Sequence, residues 1–268
     1  VCHGISPYRR ARDEMKKSIN TSTFPLRSPL FRGERRLRIA LVGLSGCGKT
    51  TFFRAVASTS ASGGELAGTR RAYDECAVDI GLDEARLIDL PSLRSLRDPD
   101  IADRAALKYL LWGDERPPVS EHEAAGPPLP LAAPDVIIQV IDATALERHL
   151  ELTFELLQLG RPLVIALNKM DEARDRGLHI GTRTLARHLG VRVVPTIATM
   201  GHGIKPLFDA TVDAVRQGVC PLPPPMAPHL QDALRPISAL LCTREVLAAF
   251  RVPLHFLVTR IGEGDRYF

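Results

Sequence analysis

Closely spaced cysteines are missing from this chain. Its five, Cys2, Cys47, Cys76, Cys220 and Cys242, are odd in number and scattered, with no C-x-x-C pair. That argues against a zinc or disulfide framework and points to a reducing compartment. Long apolar runs are missing as well: no stretch of about 18 apolar residues occurs, so this piece of chain does not itself span a bilayer. The N-terminal region lacks the apolar run of roughly 7 to 15 residues that a secretory signal needs. Because the chain begins at Val1 rather than methionine, a longer parent is expected, and the missing span speaks for this piece only. Nor is there an H-E-x-x-H pattern. His3, His122, His149, His179, His188, His202, His229 and His255 make no pairing with carboxylates that reads as a metal site, and solvated surface imidazoles are expected.

What is present is an ordinary globular composition, 45% hydrophobic and 25% charged over 268 residues, enough for one α/β core and a smaller appendage. The net charge of +4 is unevenly spread. Residues 1–36 hold nine Lys and Arg against three Asp and Glu, a net of +6, leaving 26 basic against 28 acidic residues in the remainder. Residues 1–36 read as a basic, disordered tail, with an anionic membrane or RNA contact as the functional alternative.

From Leu37 the pattern alternates strand and helix, which predicts a mostly parallel sheet with helices on both faces. Leu37–Val42 is the first strand, and Phe52, Phe53 and Val56 follow at helical spacing, set to pack the first helix on the sheet. Ser58–Gly68 is small and polar and reads as a mobile connection. Cys76–Ile80 and Arg86–Leu90 are short strands, and Ile101–Trp112 is an amphipathic helix with Asp98 or Asp100 able to cap it. After the proline-rich loop 113–134 come a buried strand at Asp135–Asp142 and a helix through Leu150–Leu159. Strands at Leu163–Leu167 and Val191–Val194 and helices at Thr184–Leu189 and Ile204–Val215 complete the series. The cluster Pro221, Pro223, Pro224, Pro225 and Pro228 marks a boundary, so residues 37–219 form one domain and 220–268 a small helical one. Its two helices, Leu234–Phe250 and Leu254–Ile261, are too short for a core of their own and should dock on the preceding domain.

Gly43-Leu44-Ser45-Gly46-Cys47-Gly48-Lys49-Thr50 matches G-x-x-x-x-G-K-[ST] directly after a buried strand. Glycines let the backbone wrap an anion with its N–H groups, and a helix starting near Lys49 aims its positive end at it. Lys49 reaches the β- and γ-phosphates and Thr50, with Thr51 beside it, offers a hydroxyl to Mg²⁺. Asp89, at a strand end, is the second Mg²⁺ candidate, and Thr69 the mobile-loop threonine that closes over the metal and the γ-phosphate. Asn168-Lys169-Met170-Asp171 fits N-K-x-D. The Asp171 carboxylate accepts from guanine N1–H and the N2 amino group, Lys169 lies along the base, and a backbone N–H at Ala198–Thr199 meets guanine O6. Adenine has no such donor pair, so GTP and GDP are the expected ligands. Cys47, near a helix N-terminus, is expected to be shielded from alkylation by bound nucleotide.

Beyond a generic GTPase, Asp135–Leu150 resembles the ferrous iron transporter family FeoB in its GTPase domain, where an aspartate-alanine pair precedes a leucine-glutamate-arginine run. The likeness continues through Leu156–Gly160, Ala166–Ala173, Leu189–Thr196 and Asp89-Leu90-Pro91, and at Phe256-Leu257 and Glu263-Gly264-Asp265. The resemblance implies a P-loop GTPase domain and a helical domain that slows GDP release. It also implies a membrane-spanning iron-transport part in the same full-length chain, at the cytoplasmic side of the bacterial inner membrane. A homo-oligomer is compatible with it, and nucleic acid is not the partner it implies. Three positions depart from the family. Ser92 replaces the glycine of D-x-x-G, Gly46 replaces the asparagine that helps bind an activating potassium ion, and Leu93 stands where other GTPases carry a water-orienting glutamine. Hydrolysis would rest on the loop, Lys49 and Mg²⁺ and should be slow. Two alternatives stay open: a soluble RNA-associated assembly GTPase, and a guanine-nucleotide-binding module with little turnover.

Overall fold

The computed structural model describes residues 36–57, 62–65, 72–80, 84–97, 101–113 and 133–265. The basic tail, Thr69, Asp98 and Asp100 lie outside them. Seven strands form one sheet in the order β2-β3-β4-β1-β5-β6-β7. They are β1 Leu37–Val42, β2 Ser62–Glu65, β3 Ala72–Asp79, β4 Glu84–Asp89, β5 Val136–Asp142, β6 Leu163–Asn168 and β7 Arg192–Pro195.

β1, β5 and β6 are apolar along nearly their whole length because both faces of a parallel sheet are covered, and every residue of β5 and β6 is buried. Parallel pairing runs from β4 through β1, β5 and β6 to β7. β2 and β3 instead add antiparallel to this edge. A parallel return needs a crossover of a dozen or more residues, and only four separate β3 from β4. Four residues of the connection read as mobile, Ser62–Glu65, are strand β2.

Helices α1 Lys49–Val56 and α6 Ile204–Gln217 cover one face, where Phe52 and Phe208 meet with ring centroids 6.3 Å apart. Helices α2 Ile101–Trp112, α3 Leu146–Leu157 and α5 Thr182–Leu189 cover the other, with the short α4 Met170–Asp175 between β6 and α5. Three C-terminal helices follow: α7 Pro228–Leu241, α8 Arg244–Phe250 and α9 Leu254–Gly262. The continuous helix expected over Leu234–Phe250 is broken at Cys242, because Thr243 turns extended and caps α8 by accepting from the Val246 N–H.

Of the three C-terminal helices, α9 is the one that buries residues in the sheet domain's core. Val252, Phe256 and Leu257 belong to the core beneath the α2–α3 face. The Trp112 indole N–H donates to the Phe250 carbonyl oxygen at 2.9 Å. Gly160 has φ +62°, and a Cβ there would stand 2.7 Å from the Pro253 ring, so glycine permits this close approach. α7 contributes no buried residue and leans on α9.

Candidate nucleotide-binding site

The loop between β1 and α1 turns on two glycines, Gly46 at φ +81° and Gly48 at φ +89°. No side chain caps the start of α1, which leaves its first N–H groups to an outside acceptor. Gly48 cannot carry a side chain for a second reason: a Cβ there would lie 2.3 Å from the Asn168 amide nitrogen. A Cβ on Gly43 would meet the Cys47 Sγ and the Val140 carbonyl oxygen at 2.7 Å. Ser45, Gly46, Thr50 and Thr51 are exposed, whereas Leu44, Cys47 and Lys49 are buried.

Lys49 and Asp89 form an ion pair in which each side chain is 7% exposed. Burial pushes the Asp89 carboxyl above the usual carboxylate range, with Lys49 pulling against it. Thr50, the next residue after Lys49 and exposed, carries a hydroxyl, a hard oxygen donor like the Asp89 carboxylate. The segment after β4 stays close to the loop: the Leu90 N–H donates to the Leu41 oxygen at 3.2 Å and the Leu93 N–H to the Gly43 oxygen at 3.1 Å. Leu93 is 1% exposed and its side chain sits in the core, so it presents nothing to a water. Glu155 of α3, unremarked in the sequence, anchors the same segment by accepting from the Ser95 hydroxyl at 2.9 Å and the Leu96 N–H at 2.5 Å.

At the base end, Asn168 is a tie between loops rather than a surface ligand. Its buried amide donates to the Cys47 oxygen at 3.0 Å, and its carbonyl accepts from the Ala198 N–H at 3.0 Å and the Thr196 hydroxyl at 3.4 Å. Ala198 therefore spends its N–H on Asn168, and of the expected pair Thr199 is the one left exposed. Lys169 takes φ +59° at the start of α4, and its ammonium donates to the Asp142 carboxylate at 2.8 Å. Burial of Asp142 opposes its charge, but Lys169 and two bonds from Thr144 outweigh this and hold the carboxyl below its usual range. The same contact raises Lys169. Asp171 is partly exposed in the first turn of α4.

Two sequence expectations are corrected. Cys47 is fully buried and burial raises its thiol pKa, so it is not a reactive cysteine and alkylation cannot report on the loop. His149 is buried in α3 at 3% exposure and His255 is half-buried, and burial lowers both imidazoles. Neither was recognisable, because the apolar partners that enclose them come from distant segments. The roles of Asp142 and Glu155 were missed because Lys169, Ser95 and Leu96, which they bind, lie in distant segments, although Asp142 does stand at the end of a mostly apolar strand. Among the described residues no group of three His, Cys, Asp or Glu could hold a metal, and no helix is long and apolar enough to cross a membrane.

The family model described as Ferrous iron transport protein B matches residues 37–211. The Fe(2+) transporter FeoB of Escherichia coli K12 is 32% identical over 177 residues, covering 65% of this chain and 20% of that protein. Among solved structures, the cytosolic domain of L. pneumophila FeoB is similar at 28% identity and a TM-score of 0.68, covering 85% of this chain and 88% of that one. A GDP-bound variant of S. thermophilus NFeoB gives 27% identity and a TM-score of 0.69, covering 86% and 80%. This chain spans a fifth to a quarter of the length of the curated relatives it matches.

Proposed function

Because the chain belongs to the ferrous iron transport protein B family, we propose that it is the guanine-nucleotide switch of a ferrous iron transporter, with residues 220–268 as its helical appendage. The observation that carries this reading is the Asn168 tie. One side chain joins the phosphate loop, through the Cys47 oxygen, to the segment that frames a base, through the Ala198 N–H, so the two halves of a nucleotide site are built as one unit. The uncapped start of α1 receives the phosphates, and Lys49 leaves Asp89 to meet them. Thr50 and Asp89 would hold Mg²⁺, which supplies positive charge against the β- and γ-phosphates. Thr69 would complete that metal site. Asp171 accepts from the guanine edge, Lys169 lines the base with its ammonium anchored on Asp142, and the Thr199 N–H meets O6.

Turnover is slow in this reading. Leu93 is locked in the core and Ser92 carries a hydroxyl, so neither position supplies the side-chain amide with which other GTPases orient an attacking water. Gly46 brings no side chain to the loop, and hydrolysis is expected to be independent of potassium. The burial of Leu93 also favours a second reading, a nucleotide-dependent binding module without turnover. Single-turnover hydrolysis of GTP with Mg²⁺ separates the two: phosphate release above buffer supports the switch that resets itself, and none supports the module. Calorimetry tests both, since equal affinity for ATP and GTP would remove the guanine site altogether. The GTPase piece works at the cytoplasmic face of the inner membrane, beside the transport part of a longer chain.

A further inference from the structure

The stretch that follows β4 is pinned at both ends. At its start the Leu90 N–H donates to the Leu41 oxygen at 3.2 Å and the Leu93 N–H to the oxygen of Gly43, the first residue of the phosphate loop, at 3.1 Å. At its far end Glu155 of α3, itself buried, accepts from the Ser95 hydroxyl at 2.9 Å and the Leu96 N–H at 2.5 Å. Leu93 and Leu96 both bury their side chains in the core. That takes the Leu96 N–H out of water and obliges it to find an acceptor, and an ionised carboxylate makes a stronger bond than a neutral oxygen. Arg94 also approaches Asp103 of α2 at 3.7 Å and Arg97 approaches Glu155 at 3.8 Å, but both arginine side chains are mostly exposed and these contacts add little. Glu155 grips the main chain.

We propose that Glu155 is a positioning residue that weighs the nucleotide site toward a diphosphate and against a triphosphate, an inference that rests on the function proposed above. A diphosphate is complete at the loop and the start of α1. A third phosphate reaches further, to the metal it shares with the second phosphate and to the segment that follows Asp89, which a nucleotide switch orders through that phosphate. Here the Leu90 and Leu93 N–H groups are already spent on Leu41 and Gly43. With the far end of the same stretch held by Glu155, these N–H groups turn to a third phosphate only against the bonds they have. GDP meets no such cost. The Glu155 contacts are therefore coupled unequally to the two nucleotides, and unequal coupling reads out as a ratio of affinities.

If Glu155 served packing alone, its loss would lower stability and weaken both nucleotides together. Glu155→Gln keeps the shape and one acceptor oxygen but not the charge, so the variant should fold with weaker bonds to Ser95 and Leu96. Calorimetry on the whole chain with Mg²⁺, GDP and a non-hydrolysable GTP analogue should show the affinity for the analogue relative to GDP rising about fivefold or more, with GDP affinity itself unmoved. Ser95→Ala removes one of the two bonds and should shift the ratio in the same direction by less. Added to Glu155→Gln it should do less than it does alone, because both act on one contact. Hydrogen exchange at the Leu96 amide, without nucleotide, should be faster in both single variants. Unchanged exchange in both overturns the grip on the segment. Wild-type binding of guanine nucleotides with a ratio that neither variant moves, or with analogue and GDP affinities that move together, overturns the role of Glu155 and leaves the function standing. A wild-type chain that binds neither nucleotide removes the function and this role with it.

Discussion

Asn168 donates its side-chain amide to the Cys47 carbonyl oxygen at 3.0 Å, joining two loops that lie 121 residues apart in the chain. The bond is buried, so neither group can turn to water when the other is lost. Asn168→Ala should therefore lower stability by about 1–3 kcal/mol and weaken GDP by more than about tenfold. Denaturant melts and GDP calorimetry on the same sample measure both.

Lys169 and Asp142 form a second tie, and its pH dependence has a definite sign. The Asp142 carboxyl is held below its usual range, so its contribution is present above the unfolded carboxylate pKa and lost as pH falls through the folded one. Lys169 is raised, so its share is complete below the ordinary lysine pKa and lost as pH rises through the folded value. The Lys169 side chain is 28% exposed, and about 1 kcal/mol is expected at neutral pH. Asp142→Asn should remove that difference at pH 7 and matter progressively less as pH falls below the ordinary carboxylate range and through the lowered folded value; urea melts from neutral to acid pH test it.

Gly48→Ala places a methyl group against the Asn168 amide at a φ of +89°. Strain and collision act together. A loss of about 1–3 kcal/mol is expected, with nucleotide binding abolished, whereas Gly46→Ala, with open space around its Cβ, should keep the Asn168 tie and lose less. Comparing the two melting curves separates collision from backbone strain.

Asp171→Asn replaces an acceptor pair by one donor and one acceptor. GDP affinity should fall by at least about a hundredfold, and xanthine nucleotides, which offer an oxygen where guanine offers an amino group, should bind better than guanine ones. Competition with a fluorescent GDP measures the exchange.

Leu93→Gln restores the residue type other GTPases carry at this place, but the side chain is enclosed by the core. Burying the amide there should cost about 1–3 kcal/mol without raising the hydrolysis rate. A faster single turnover would show that the segment opens far enough to bring position 93 to the phosphate.

The phosphate loop, the guanine motif and the parallel strands were legible in the chain because each is local. A run of apolar residues needs only its own neighbours to be a buried strand, and Gly46 and Gly48 announce backbone shapes that other residues resist. β2 was not legible: Ser62-Gly63-Gly64-Glu65 has weak strand preference and is a strand because β3 offers it an edge. Lys169 carried a role toward the base in the sequence, yet its anchor on Asp142 required two strand ends to be side by side.

The order of residues thus decided the ligand chemistry, the alternation of elements and the loss of a water-orienting side chain, since all three are set by residue type at short spacing. Tertiary structure decided which side chains are free to act. Cys47, Leu93 and His149 are silenced by burial, Asn168 becomes a structural bond, and Glu155 takes hold of Ser95 and Leu96 about 60 residues earlier in the chain. Burial and pairing depend on what the rest of the chain brings alongside, and no local window contains that information.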